Sequence, residues 1–133
     1  MLILDTNTVS DYLRGEPQVV SRLQALEPGG AGIPAIVEYE LRYGFARLPL
    51  QARQRQDSLL AVLRALGGLP FDSVCAEHAA TIRAELEVAG TPIGPHDVLI
   101  AATARRYGGV LVTRNVREFA RVPGLRLQNW HEA

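Results

Sequence analysis

Asp5, Glu40 and Asp97 are the residues of this chain whose types and placement bear most directly on chemistry. Asp5 ends the apolar run Leu2-Ile3-Leu4, and Asp97 precedes the apolar run Val98 to Ala104. Glu40 falls within about 60° of Val37 and Gly44 on a helical projection, so it borders an inward stripe. Each acid has an ordinary reading by itself: Asp5 caps a helix, Asp97 suits a helix's first turn, and Glu40 is solvated. Three carboxylates at the edges of apolar segments are costly to bring together without a cation, so a hard metal ion is their natural partner. Oxygen-only ligation suits Mg²⁺ or Mn²⁺ rather than zinc. His78, His96 and His131 show no zinc-ligand spacing with Cys75.

The elements that must position these acids alternate in kind. Leu2 to Leu4 reads as a strand buried on both faces, stopped by Asp5-Thr6-Asn7, and a helix follows to about Arg14. Pro17 opens a second helix that ends at Pro28-Gly29-Gly30. A third begins near Pro34, with Val37, Leu41, Gly44 and Leu48 as its inward stripe. Ala52 to Leu66 is an amphipathic helix, Leu69 to Phe71 a short strand, and Ser73 to Val88 a helix with Cys75, Ala79, Ile82 and Leu86 on its apolar side. Pro95 opens a helix with an apolar core, closed by Gly108-Gly109. Val110 to Thr113 and Arg126 to Gln128 complete the strands. This alternation predicts an α/β sandwich with a parallel sheet. Functional groups then gather beyond the carboxyl ends of the strands, where Asp5 and Thr113-Arg114-Asn115 share one crevice if their strands are neighbours.

Length and composition narrow the function. The 133 residues amount to about one domain. Fourteen basic residues balance fourteen acidic ones, and every basic residue is arginine. Without lysine, P-loop nucleotide hydrolysis and pyridoxal chemistry lose a required residue. Zero net charge argues against non-specific coating of duplex DNA. Residues 102–133 nonetheless carry six arginines against two acids. Cys75 has no partner for an internal disulfide and reads as a packing residue. The opening MLILDTN lacks a secretory signal, and the apolar runs are too short to span a bilayer, so an intracellular, cytoplasmic setting is expected, with no membrane association.

Four stretches together resemble the PIN-domain ribonucleases, and most closely the VapC-type toxins of bacterial toxin–antitoxin pairs. They are LILDTN at Leu2 to Asn7, YELRYG at Tyr39 to Gly44, RAELEVAGTPIGPHDVLIAATA from Arg83 to Ala104, and LVTRNVREFARVPGL from Leu111 to Leu125. The resemblance implies a single three-layer α/β/α domain over residues 1–133 with a central, mainly parallel sheet. It also implies a metal-dependent endoribonuclease with Asp5, Glu40 and Asp97 as its acidic cluster. Many members carry a fourth acid, usually aspartate, where this chain has Asn115. Asparagine keeps an oxygen but loses a charge, and Glu118, three residues on, is placed to approach the same point through a water. The same asparagine is common where the NVREF pattern occurs. A cognate antitoxin, seated in a groove formed by the N-terminal helices and the Ala52 to Leu66 helix, and a homodimer are further implications.

On this reading a divalent ion held by Asp5, Asp97 and Glu40 activates water against an RNA phosphodiester, with Asp97 or Glu40 accepting the proton. Thr6 and Asn7 orient Asp5 or the metal's waters, and Thr113 supports the site. Arg114 and Arg117 flank Asn115 and are the expected phosphate contacts, since a guanidinium engages phosphate through two bonds. His96 either touches a substrate phosphate or is merely exposed. A tRNA or rRNA loop, or a single strand, is the expected target, because a shallow cleft reaches duplex RNA poorly. Two other readings use similar residues. One is a catalytically weak PIN domain that mainly binds RNA or antitoxin. The other is a phosphoryl-receiving α/β domain, which the absence of lysine disfavours.

Overall fold

The computed structural model describes residues 1–131, apart from the side chain of Leu66. Glu132, which enters the charge balance of the last quarter, lies outside the described residues. Five short strands, β1 (Leu2–Leu4), β2 (Ala31–Pro34), β3 (Gly68–Leu69), β4 (Val110–Val112) and β5 (Arg126–Gln128), form one sheet in the order β3-β2-β1-β4-β5. All four pairings are parallel. Seven helices connect and cover them: α1 (Thr6–Leu13), α2 (Pro17–Gln24), α3 (Ala35–Ala46), α4 (Leu50–Gly67), α5 (Ser73–Val88), α6 (Pro95–Arg106) and α7 (Val116–Phe119). The result is the three-layer α/β/α arrangement expected of parallel strands, which need helices on both faces.

The strand order reverses beside β1. From β1 the chain winds outward through β2 and β3, then returns to place β4 on the other flank, in register Leu2 to Val110 and Leu4 to Val112. The carboxyl ends of β1 and β4 therefore diverge into helices around a common crevice. Ile3, Leu4, Leu111 and Val112 are buried, as a central parallel sheet requires. Trp130 and Phe119 are also buried, sealing the β5 side of the core.

Local chemistry sets the element ends. Asp5 caps α1 and Asp72 caps α5, each accepting from a backbone N–H three residues on. Pro95 starts α6. Gly108, at φ 65°, lets the chain leave α6 in a left-handed turn toward β4. Gly67 is needed for another reason: a Cβ there would stand 2.4 Å from the Ala31 carbonyl oxygen, so only glycine lets the end of α4 meet β2.

Three features depart from the sequence reading. β2 follows Gly30 directly, where only a turn was read, because Ala-Gly-Ile-Pro has neither an apolar run nor an alternation. The strand expected at Leu69 to Phe71 pairs as Gly68–Leu69. Along α3 the buried residues are Val37, Leu41 and Phe45, whereas Gly44 and Leu48 are exposed. Leu48 lies beyond the helix, and Phe45 continues the four-residue spacing. Cys75 is fully buried, as a packing residue should be. Among the described residues no helix is long and apolar enough to cross a membrane.

Candidate active site

Asp5 leaves β1 directly into the crevice. It is 4% exposed, and its Oδ1 accepts from the Thr8 N–H at 2.8 Å. Its own N–H donates to the Val112 carbonyl at 3.2 Å, and the Thr8 hydroxyl donates to the same carbonyl at 3.1 Å. The start of α1 is thus pinned to the end of β4, which fixes Asp5 at the meeting point of the two central strands.

Glu40 comes from α3 and is held from two directions. The Thr6 hydroxyl donates to its Oε1 at 2.8 Å, and His96 Nδ1 stands 3.6 Å from its Oε2. Thr6 therefore orients Glu40, where Asp5 or a metal-bound water was the expected partner. Asn7 is exposed and lines a groove beside Thr6.

Asp97 sits in the first turn of α6, whose amide dipoles favour an anion. Burial nevertheless lifts its carboxyl to about 7, and the charges of Glu118, Glu40 and Asp5, with a hydrogen bond to Glu118, push the same way. Glu118 is drawn in more directly than a water-mediated approach would require. Its Oε1 accepts from the Gly94 N–H at 3.0 Å, and its Oε2 accepts from the Asn115 side-chain amide. The Gly94 bond, seconded by Asn115, Asp97 and Arg121, holds Glu118 below the usual carboxylate range against the opposing effect of burial. Asn115 is positioned through its N–H, which donates to the buried Thr113 hydroxyl at 2.9 Å.

The four acids belong to one electrostatic unit carried by β1, α3, α6 and α7. Carboxylate oxygens are the donors a hard divalent ion takes, and the raised proton affinity of Asp97 reflects burial first and the neighbouring negative charges second. Among the described residues, no three histidine, cysteine, aspartate or glutamate side chains stand close enough together to hold a metal ion as they are placed. Protein donors hold Glu40 and Glu118 individually instead.

The arginines behave differently from one another. Arg117 is exposed and forms no ion pair among the described residues. Arg114 instead directs its Nε to 3.8 Å from Asp11 Oδ2. Asp11, which the sequence reading passed over, is a buried carboxylate on α1 that also pairs with Arg14 and with His131, whose Nε2 is 2.6 Å away. Its position three residues after buried Thr8 and three before Arg14 was the available signal.

Comparison with known proteins bears on the family and the fold. The PIN domain family matches residues 2–125. The chain is 37% identical over 128 residues to a tRNA(fMet)-specific endonuclease VapC of Salmonella typhimurium, covering 96% of each chain. It superposes on the DNA-bound VapBC structure from Salmonella typhimurium with a TM-score of 0.87 at 37% identity, covering 97% of each chain. VapBC2 from Rickettsia felis, bound to a fragment of promoter DNA, gives 0.84 at 33% identity, with 97% of this chain and 98% of the other covered. With the acids of those four elements gathered at the switch between β1 and β4, the chain belongs to the PIN-domain family, among its VapC-type ribonuclease toxins.

Proposed function

We propose that this chain, as a single PIN unit, is a metal-dependent endoribonuclease that cuts RNA in a single-stranded or loop region, and that a cognate antitoxin holds it inactive. The observation that carries the reading is the convergence of Asp5, Glu40, Asp97 and Glu118 beyond the carboxyl ends of β1 and β4, where burial and then the charges of the other three lift Asp97 to about 7.

Asp5, Asp97 and Glu40, with Asn115 and Glu118 at the margin, would hold Mg²⁺ or Mn²⁺, which when bound offsets phosphodiester charge and makes water a better nucleophile. The side chains then divide the remaining work. Asp5, locked by the Thr8 N–H, supplies a fixed anion through its other oxygen. Glu40, steadied by Thr6, or Asp97 accepts the proton of the attacking water. Glu118 and Asn115 hold each other beside Asp97, supported by Thr113. Arg117 meets substrate phosphate, as does Arg114 once it swings from its 3.8 Å approach to Asp11. A tRNA loop is the favoured target, given the substrate named for the Salmonella relative.

The antitoxin reading rests on a groove of about 580 Å³ between α1, α3 and α4. Leu13, Leu41, Phe45 and Leu48 give it an apolar floor, and Glu40 stands at its inner end. A helical antitoxin segment can lay apolar side chains there and extend an arginine to the acids. A homodimer and a cytoplasmic setting complete the proposal.

The deciding experiment is cleavage of total cellular RNA with Mg²⁺ or Mn²⁺ by antitoxin-free protein. Asp5→Ala and Asp97→Ala are expected to lose cleavage, and chelation should stop the wild type. Equal cleavage by all three proteins would end the proposed mechanism.

A further inference from the structure

The outward side of α3 carries aromatic groups that the catalytic reading leaves unused. Tyr39 and Tyr43 are 57% and 61% exposed and lie one turn apart, about 6 Å along the helix axis. Another turn on, the Arg47 guanidinium lies 5.9 Å from the Tyr43 ring centre. At the opposite end His96, half-exposed, meets Tyr39 edge to face, with ring centres 5.6 Å apart and planes at 87°. The series thus begins at His96, which is 3.6 Å from Glu40, and leads away from the acids along one helix.

The geometry of the pair matters. Two stacked rings would cover each other, but an edge-to-face pair leaves both faces of one ring and one face of the other available. Exposed aromatic faces bind unpaired bases of any identity, because every base has a π-face. The arginines nearby are not equivalent. Arg42 is taken up by Glu38 at 2.8 Å and Asp57 at 3.5 Å, whereas Arg47 forms no ion pair among the described residues. The other exposed positions of α3 hold Ala35, Arg42, Gly44 and Ala46, so the two tyrosines are its only exposed large side chains besides the ion-paired Arg42. Tyr39 and Tyr43 also lie outside the apolar groove assigned to the antitoxin.

We propose that His96, Tyr39 and Tyr43 form a stacking subsite for the unpaired bases of single-stranded RNA, leading out from Glu40, with Arg47 meeting the strand's phosphate at the far end. The subsite rests on the ribonuclease reading and gives it a direction, since the strand runs along α3 with the scissile bond at the His96 end. It also supplies a physical reason for preferring unpaired RNA, whose bases can be splayed onto the rings while those of a duplex cannot.

The test uses antitoxin-free full-length protein and a fluorescein-labelled single-stranded RNA of mixed sequence, with binding read by anisotropy in EDTA and cleavage read separately with Mn²⁺. Tyr39→Leu and Tyr43→Leu are each expected to weaken binding about tenfold. Tyr39→Phe and Tyr43→Phe keep the rings and bind as the wild type does. In cleavage the leucine variants raise KM and preserve kcat. Unchanged affinity in both leucine variants overturns the subsite. So does loss of a homodimer in light scattering with unchanged affinity per protomer, which would make this face a contact between copies. Failure of the two readings is distinguishable: Asp97→Ala cleaving as the wild type does would remove the ribonuclease reading. Asp97-dependent cleavage with unaltered leucine variants removes only the subsite.

Discussion

The Thr6 hydroxyl donates to Glu40 Oε1 at 2.8 Å, tying the first turn of α1 to the middle of α3 across 34 residues of sequence. Thr6 immediately follows Asp5, so one short segment both presents an acid and aims its counterpart. Thr6→Val keeps the shape and removes the donor. It should lower kcat about tenfold, the usual cost of losing a group that orients a ligand, with little change in KM, while Thr6→Ser should recover most of the loss. Steady-state cleavage kinetics with Mn²⁺ check this. A normal kcat in Thr6→Val would mean that Glu40 needs no aiming.

The acidic cluster makes stability depend on pH in an unusual direction for a carboxylate. The folded protein holds the Asp97 proton up to about 7, whereas the unfolded chain releases it near the model-peptide value of about 4. Between those limits the folded state binds more protons, so the Asp97 contribution to stability falls as pH rises from about 4 to about 7 and is level above that. Urea melts in EDTA should show this slope, reduced in Asp97→Asn. Adding Mg²⁺ or Mn²⁺ at pH 8 should raise the midpoint of the wild type more than that of the variant. Identical slopes in both proteins would contradict the assignment.

Asp11 is 2% exposed and is met by His131, Arg14 and Arg114. It joins α1 to the segment after β5 and to the segment after β4. Asp11→Ala should destabilise the fold by about 2 kcal/mol, in the range for hydrogen bonds to a charged group. Because Arg114 then loses a partner beside the site, RNA affinity should change as well. Denaturation and RNA binding measured on the same variant separate the two effects.

The groove between α1, α3 and α4 offers a substitution that separates inhibition from cleavage. Leu48 is an exposed part of its apolar floor. Leu48→Asp places an unpaired charge where an apolar antitoxin side chain would sit, and should weaken antitoxin binding at least about tenfold while leaving RNA cleavage intact. Co-expression rescue and direct titration read the outcome. Full neutralisation of Leu48→Asp would move the inhibitor elsewhere.

Much of the fold was legible because its signals were local. Leu2-Ile3-Leu4 and Val110-Leu111-Val112 are apolar enough to mark buried strands, and Pro95 and Gly108 punctuate α6. β2 was not legible: only one of its four residues is a good strand former, and its place comes from pairing with β1 and from the close approach of Gly67. The placement of Asp5, Glu40 and Asp97 followed from strand ends and helix faces. The direct hold of Glu118 on Gly94 did not, since it depends on how α7 packs against the α6 entrance. Asp11 escaped for a similar reason, because its chief partner is 120 residues away.

The order in which the strands are laid down has a temporal consequence. The chain leaves the ribosome amino end first, yet β1 finds its second neighbour only when β4, at Val110–Val112, has emerged, and Glu118 follows later still. A chain that has reached only α5 therefore carries Asp5 and Glu40 with no assembled crevice around them. Assembly of the crevice thus waits on a contact between distant parts of the chain, since Asp5 and Glu40 gain their full surroundings only when Val110 to Glu118 has folded against β1 and the entrance of α6.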